Sequence, residues 1–341
     1  MATRIAINGF GRIGRGFFRL AETHPELELV AVNDLGSVEN LAYLLKYDTV
    51  YHTAAFPVEV KEGKLVVNGR EIRTIAEKDP TKLPWKDLAI DIVVESTGIF
   101  NDYDKAAGHL SAGAKRVVIT APAKGTPPSG VEAGMVLMGV NDEKLKTCTI
   151  SSNASCTTNA ASPLVAILDE TIGIEKAILS TTHAYTASQA LVDGFSKKDV
   201  REGRAAAQNI IPSSTGAAKS VAEVYAPLRG KFDGISLRVP VPAGSIADIT
   251  FIAKRPTTAE EVNDILRKAA KDPRWEGIFD ATDEQLVSSD IIGSAFGAIA
   301  DLSMTRVVDG NLVKVLSWYD NEMGYIHTLV KHVLASAKAL S

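Results

Sequence analysis

The sequence predicts an α/β protein in two parts, a doubly wound parallel sheet followed by an α+β catalytic domain with a mixed or antiparallel sheet. Three observations carry this. Short apolar runs alternate with amphipathic stretches as far as Thr120, the layout of strands joined by crossover helices. After Cys156 the strand-like runs 178–182, 235–241 and 246–253 are longer and less regularly separated by helices. At 341 residues the chain is too long for one small core and suits two domains. The change of pattern puts the division near Cys156, with domains over 1–155 and 156–320.

Taken in order, Arg4-Ile5-Ala6-Ile7-Asn8 is a strand that stops at Gly9-Phe10-Gly11-Arg12-Ile13-Gly14. Phe17, Phe18, Leu20 and Ala21 then fall at helical spacing. Residues 27–34 form the next strand, and the alternation continues through 41–45, 90–94, 106–110 and 116–120. Asn68-Gly69 marks a hairpin turn. The Pro/Gly-rich stretch 123–134 reads as a surface loop. In the second part, Asp309-Gly310-Asn311 joins 305–308 to 312–318 as a hairpin. Ile326, Leu329, Val330, Val333, Leu334 and Ala337 give the last segment a helical period, which does not say which domain it packs on.

Composition narrows the function. Apolar residues make up 45% and charged residues 23%, an ordinary globular balance. The net charge of −4 argues against a broad basic face for nucleic acid. No stretch approaches the roughly 20 apolar residues of a membrane helix, and the first residues lack an apolar segment with a cleavage site. The two cysteines, Cys148 and Cys156, make no disulfide framework, so a reducing cytoplasm is expected.

Gly9-x-Gly11-x-x-Gly14 follows a strand and opens a helix. Its glycines allow a tight turn and close backbone approach, so a pyrophosphate can rest on the helix N-terminus in a Rossmann-type site. Asp34 ends the second strand, where a carboxylate can bind a ribose 2′-OH and would repel a 2′-phosphate, favouring NAD over NADP. Thr97 and Gly98 end a later strand, and Thr120 another, facing the same crevice. No metal-ligand pattern stands out.

Cys156 lies in Ser152-Asn153-Ala154-Ser155-Cys156-Thr157-Thr158-Asn159, a run with no large apolar side chain. A cysteine where loop turns into helix meets the positive end of the helix dipole, which favours thiolate. His183 ends a strand and is the candidate base, able to form a thiolate–imidazolium pair. His24, His52 and His109 sit in polar surroundings that suggest surface, and His327 and His332 lie on the last helix. Arg238 stands inside an apolar strand, where its charge needs either a bound anion or an internal salt bridge. Thr215 and Gly216 open a helix from 217 to 224 whose N–H groups could hold a phosphate. The basic stretch around Lys197 and Lys198 reads as a solvated loop.

In order along the chain, the glycine loop, the cysteine octapeptide, His183-Ala184-Tyr185-Thr186, Ser214-Thr215-Gly216-Ala217-Ala218-Lys219, Arg238-Val239-Pro240 and Trp318-Tyr319-Asp320-Asn321-Glu322 resemble the phosphorylating glyceraldehyde-3-phosphate dehydrogenase family. The resemblance implies an NAD-dependent oxidoreductase of glycolysis and gluconeogenesis. Such an enzyme would convert glyceraldehyde 3-phosphate, inorganic phosphate and NAD to 1,3-bisphosphoglycerate and NADH through a cysteine thioester. It implies Cys156 as nucleophile and His183 as its base, with Thr186 and Arg238 on the substrate phosphate. Ser155, Thr157, Thr215 and Gly216 would bind inorganic phosphate. Gly9, Gly11, Arg12, Ile13, Gly14, Asp34, Thr97, Gly98 and Thr120 would hold NAD, and Asn321 would orient its carboxamide. It further implies a homotetramer, with about 185–209 lining a neighbouring subunit's cofactor site, and a last helix, 321–341, that returns to the first domain. No nucleic-acid or membrane partner is indicated.

Erythrose-4-phosphate dehydrogenase is a sister reading, disfavoured by the intact His183-to-Thr186 and Ser214-Thr215-Gly216 segments. A non-phosphorylating aldehyde dehydrogenase would use the same cysteine and release a free acid, and a catalytically silent NAD-binding protein would keep only the glycine loop in use. The chain departs from the family pattern at Ala160, where many members carry a second cysteine, in the stretch 123–134, which is unusual for the family, and at Phe195 after Asp193-Gly194.

Overall fold

The first strand, β1 (Thr3–Asn8), is buried along its apolar core and pairs in parallel on both sides, which fixes everything around it. In the computed structural model, which describes residues 2–197 and 199–340, contacts divide the chain into two units. The first runs to Met138, then over Asp142–Ala154, and again from Leu329. The second holds Gly139–Asn141 and Ser155–Thr328.

In the first unit β1 leads into α1 (Arg12–Ala21), β2 (Leu27–Asn33) and α2 (Val38–Lys46). A small meander follows, β3 (Val58–Lys61), β4 (Lys64–Val67) and β5 (Arg70–Ile75), with the Asn68-Gly69 turn between the last two. Then come β6 (Ile92–Glu95), α3 (Tyr103–Ala106), α4 (Gly108–Ser111), β7 (Arg116–Ile119), β8 (Ala133–Met135) and β9 (Ile150–Ser152). The sheet order is β3-β4-β5-β2-β1-β6-β7-β9-β8, parallel from β5 to β8. The chain winds one way from β1 to β2 and the other way through β6, so the order reverses between β1 and β6. That reversal is where such sheets open a ligand crevice at their strand ends.

In the second unit α5 (Cys156–Thr171) precedes a seven-stranded sheet of order β11-β12-β10-β13-β16-β15-β14. Its strands are β10 (Ile174–Ala184), β11 (Ile211–Ser214), β12 (Phe232–Val239), β13 (Ser245–Ala253), β14 (Phe279–Thr282), β15 (Ala298–Val308) and β16 (Leu312–Tyr319). Between them lie α6 (Ala217–Val224) and α7 (Ala259–Ala269). The sheet is mixed, with β10–β12 and β14–β15 parallel and its other pairs antiparallel. α5 is buried from Thr157 through Leu168, so its polar first turn is held in the interior instead of at a surface. Pro163 sits inside it and removes one helical hydrogen bond.

The last helix, α8 (Met323–Lys338), is divided between the units at Leu329. Within the first unit its His332 is fully buried, with Nε2 at 2.7 Å from Ser151 Oγ. Nearby, Arg116 donates to the Ala339 carbonyl at 2.9 Å. No helix among the described residues is long and apolar enough to cross a membrane.

Candidate active site

α5 begins where Ser152-Asn153-Ala154-Ser155 turns out of β9. Ala154 takes a left-handed φ of 53°, and Ser155 caps the helix by accepting the Thr158 N–H at 3.1 Å. Cys156 is therefore the first helical residue, its thiol beside the open N–H groups of that turn. Its Sγ lies 3.3 Å from His183 Nε2.

His183 reaches that position from the end of β10, and Arg238 stands directly opposite it on β12 in the parallel register. The Ala184 carbonyl lies 2.7 Å from His183 Nδ1, and Arg238 Nη1 lies 2.6 Å from the same nitrogen. No carboxylate pairs with Arg238 among the described residues, and its buried Nε–H has no partner. Of the two ways to satisfy Arg238 that its strand position allows, the internal salt bridge is absent.

Burial pushes the Cys156 thiol up, against the pull of Arg238 and of the Thr157 and Cys156 groups at the helix start. Burial, and then the Arg238 guanidinium, push the His183 imidazole down to about 3. Both shifts favour a neutral thiol beside a neutral imidazole. Desolvation thus opposes the groups at the helix start, which pull the thiol toward thiolate.

Tyr319, at the end of β16, stands out in the sequence only as part of a motif. Its buried hydroxyl bridges Thr157 Oγ1 at 2.9 Å and Thr181 Oγ1 at 2.7 Å, and its ring stands edge-on to His183 at 5.9 Å. Burial raises its phenol well above the usual range, so it remains a donor. Ser245 adds a second link that the sequence does not indicate. Its hydroxyl accepts the Ala184 N–H at 3.1 Å and donates to Asn321 Oδ1 at 2.9 Å.

Cys156, His183, Arg238 and, through Tyr319, Thr157 thus form one connected group. The hydrogen bonds of Thr186 and Thr215 are local. Thr186 pairs with Ser188 and Gln189, and Thr215 Oγ1 accepts the Ala217 N–H at 3.1 Å, while Gly216 caps α6. Lys198 lies outside the described residues.

The first unit holds a separate cavity of about 540 Å³ lined by Gly9, Gly11, Asp34, Glu77, Thr97 and Ile99, among others. Gly9 takes a φ of +93°, and a Cβ there would stand 2.6 Å from the Thr97 nitrogen. A Cβ on Gly14 would meet the Gly9 carbonyl at 2.2 Å. Gly11 is different, since nothing lies within 4 Å of its Cβ position. That glycine is not needed for packing, and the open space beside it is a cradle for a ligand. Asp34 accepts the Phe10 N–H at 2.7 Å and the Gly36 N–H at 2.9 Å, which fixes its carboxylate to the glycine loop at the cavity wall. Arg12 pairs with Asp48 and lies over the Tyr51 ring, and Ile13 belongs to the first turn of α1. Gly98 takes a φ of +72°, and Thr120 N–H donates to the Glu95 carbonyl at 3.0 Å. His109, expected at the surface, is fully buried beside Glu95 and Trp85. Its polar neighbours in sequence, Asp104, Lys105 and Ser111, are exposed while His109 itself is buried.

Two family models match the chain. Residues 3–103 match the glyceraldehyde 3-phosphate dehydrogenase NAD binding domain, and residues 155–321 match the C-terminal domain of the same family. The glyceraldehyde-3-phosphate dehydrogenase of Thermotoga maritima is 51% identical over 96% of this chain and 97% of its own length. Those of Geobacillus stearothermophilus and Streptomyces coelicolor are 48% and 47% identical, each over 97% of both chains. With a cysteine–histidine pair beside an arginine whose buried Nε–H lacks an acceptor, a glycine-lined cavity at the sheet's reversal point and these matches over nearly its whole length, the chain belongs to the glyceraldehyde-3-phosphate dehydrogenase family.

Proposed function

We propose that this chain oxidises glyceraldehyde 3-phosphate with NAD and inorganic phosphate to 1,3-bisphosphoglycerate, with Cys156 as nucleophile and His183 as base. The observation that carries this is the 3.3 Å approach of Sγ to Nε2 beside an arginine whose buried Nε–H lacks an acceptor. A thiol and base alone fit many reactions. A guanidinium on the neighbouring strand, with a buried Nε–H left over and no carboxylate partner among the described residues, favours an anionic substrate.

The Ala184 carbonyl favours the imidazole tautomer with hydrogen on Nδ1, leaving the Nε2 lone pair for the thiol proton. Arg238 Nη1 then faces Nδ1 donor to donor, a contact that a substrate phosphate relieves by drawing the guanidinium to itself. Cys156 gives its proton to His183, and sulfur bonds to the aldehyde carbon as the carbonyl pair moves to oxygen. The Cys156 N–H and the protonated His183 Nε2 stabilise that oxyanion. NAD, when bound, supplies the acceptor for the hydride, leaving a thioester on Cys156. Inorganic phosphate, held by Ser155, Thr157, Thr215 and Gly216, attacks the thioester carbon. The thiolate leaves and recovers its proton from His183. Thr186 joins Arg238 on the substrate phosphate.

The open space at Gly11 and the carboxylate at Asp34 fit a dinucleotide with a free ribose 2′-OH. Gly9, Arg12, Ile13, Gly14, Thr97, Gly98 and Thr120 complete its site, and Asn321, held by Ser245, takes the carboxamide. The same reading makes the protein a cytoplasmic homotetramer. Exposed Leu191, Val192, Phe195, Val200 and Ile210 in the loop after β10, with Ile178, Ile235 and Leu312 on the second sheet, support burial against other copies.

The test is an assay with glyceraldehyde 3-phosphate and erythrose 4-phosphate, each with NAD and NADP, with and without phosphate. NADH formation that requires phosphate and prefers the three-carbon aldehyde is expected. Steady turnover in phosphate-free, arsenate-free buffer would favour a non-phosphorylating aldehyde dehydrogenase. Cys156→Ser should abolish turnover and keep NAD binding.

A further inference from the structure

Behind the glycine-lined cavity of the first unit lies a buried polar chain that the reaction does not use. Trp85, His109, Glu95 and Asn8 are each at most 1% exposed. An indole N–H can only donate, and Trp85 Nε1 stands 3.0 Å from His109 Nδ1, so Nδ1 must accept. The imidazole hydrogen is then on Nε2, 3.0 Å from Glu95 Oε2. Asn8 Nδ2 donates to the same oxygen at 2.6 Å. The other oxygen, Oε1, accepts the Thr97 N–H at 2.8 Å and the Thr97 hydroxyl. Four donors fill the acceptor capacity of one carboxylate, and two of them belong to a residue that lines the cavity.

We propose that Trp85 and His109 are positioning residues for the cofactor. By fixing the hydrogen of His109 on Nε2, Trp85 aims Glu95, and Glu95 holds Thr97 and the left-handed Gly98 in the conformation that receives the dinucleotide. This rests on the NAD-dependent reading above. A second branch ties in the opposite wall. Asn8 Oδ1 accepts from Asn33 at 2.6 Å, and Asn33 in turn exchanges two hydrogen bonds with the Glu77 backbone. The ends of β1, β2 and β6 are thus locked by one buried network, so loosening it at His109 is felt at the cavity.

The experiment compares wild type, His109→Phe, His109→Gln and Trp85→Phe in the full-length protein. NAD affinity is read by calorimetric titration and by KM and kcat. His109→Phe leaves Glu95 short of one donor. It should raise the NAD dissociation constant and KM about tenfold while kcat at saturating NAD holds within about twofold. The rate of Cys156 alkylation without NAD should stay as in wild type. His109→Gln keeps an N–H donor and should recover most of the affinity. Trp85→Phe removes only the indole donor, should weaken NAD in the same sense, and serves if His109→Phe does not fold. Equal NAD affinity in wild type and the folded variants, or a loss in kcat with KM unchanged, would overturn the positioning role. Failure of wild type to bind NAD would instead refute the proposed function and this inference with it.

Discussion

Replacing Arg238 with leucine removes the positive charge that lies 2.6 Å from His183 Nδ1 while keeping much of the side chain's bulk. Arg238 is the second cause, after burial, of the low His183 value, and it is the leading influence holding the Cys156 thiol down against burial. Two unit charges roughly 4 Å apart interact by about 4 kcal/mol at an effective dielectric near 20. That is at most about 3 pH units, and partial solvent screening reduces it. In Arg238→Leu the His183 titration should therefore rise by about 1 to 3 pH units, and the Cys156 thiol should also move up. The assay is the rate of alkylation by iodoacetamide between about pH 4 and 9 without substrate, paired with imidazole NMR. A neutral reagent keeps the loss of a phosphate site out of the result. Arg238→Lys, which keeps the charge, should stay near wild type. Superimposable wild-type and leucine profiles would refute the electrostatic argument, and so would equal shifts in the lysine and leucine variants.

Gly11→Ala should fold normally, because its Cβ meets nothing, yet should weaken NAD severalfold by titration; Gly9→Ala should lower the melting temperature itself, its Cβ falling 2.6 Å from backbone. Tyr319→Phe takes one partner from each of two buried threonine hydroxyls, Thr181 keeping the Ile246 carbonyl, and should cost about 1–2 kcal/mol in urea unfolding, with an unchanged midpoint counting against the bridge. Burial holds His332 down to about 3, below its unfolded value of 6.5. The unfolded chain then binds one more proton, so this contribution to stability is present above about pH 6.5 and is lost as pH falls toward about 3. By about pH 5 the loss is about 2 kcal/mol, and His332→Gln should flatten the dependence of the urea midpoint on pH by about one proton.

The first sheet was legible because a parallel strand buried on both faces writes itself as a short apolar run, and because Gly9 and Asp34 mark where two such runs stop. The reactive pair was legible for a related reason. Cys156 opens a helix and His183 stands near the end of a strand, and a reactive side chain at the end of an element is conspicuous. Arg238 was conspicuous inside its strand, but its neighbour was not, since the register that sets it beside His183 is a long-range pairing of β10 with β12. Tyr319 and Ser245 were hidden in runs where an aromatic or a small hydroxyl residue is ordinary strand composition. The burial of His109 does not show in the sequence because a four-residue helix is too short to display a period. The direction of the Cys156 shift could not be seen at all, since it depends on how enclosed the helix start is.

The pairing of His183 and Arg238 as one rung of a parallel ladder has a consequence for selectivity. A slip of β10 against β12 would part them, so the ladder bonds on either side of that rung hold the base and the anion clamp together. An aldehyde without a phosphate group leaves the guanidinium resting on the imidazole, where it opposes proton uptake. Such a compound should therefore be turned over slowly even when it saturates the enzyme, with the group at the far end of the substrate acting as the licence for chemistry at the near end.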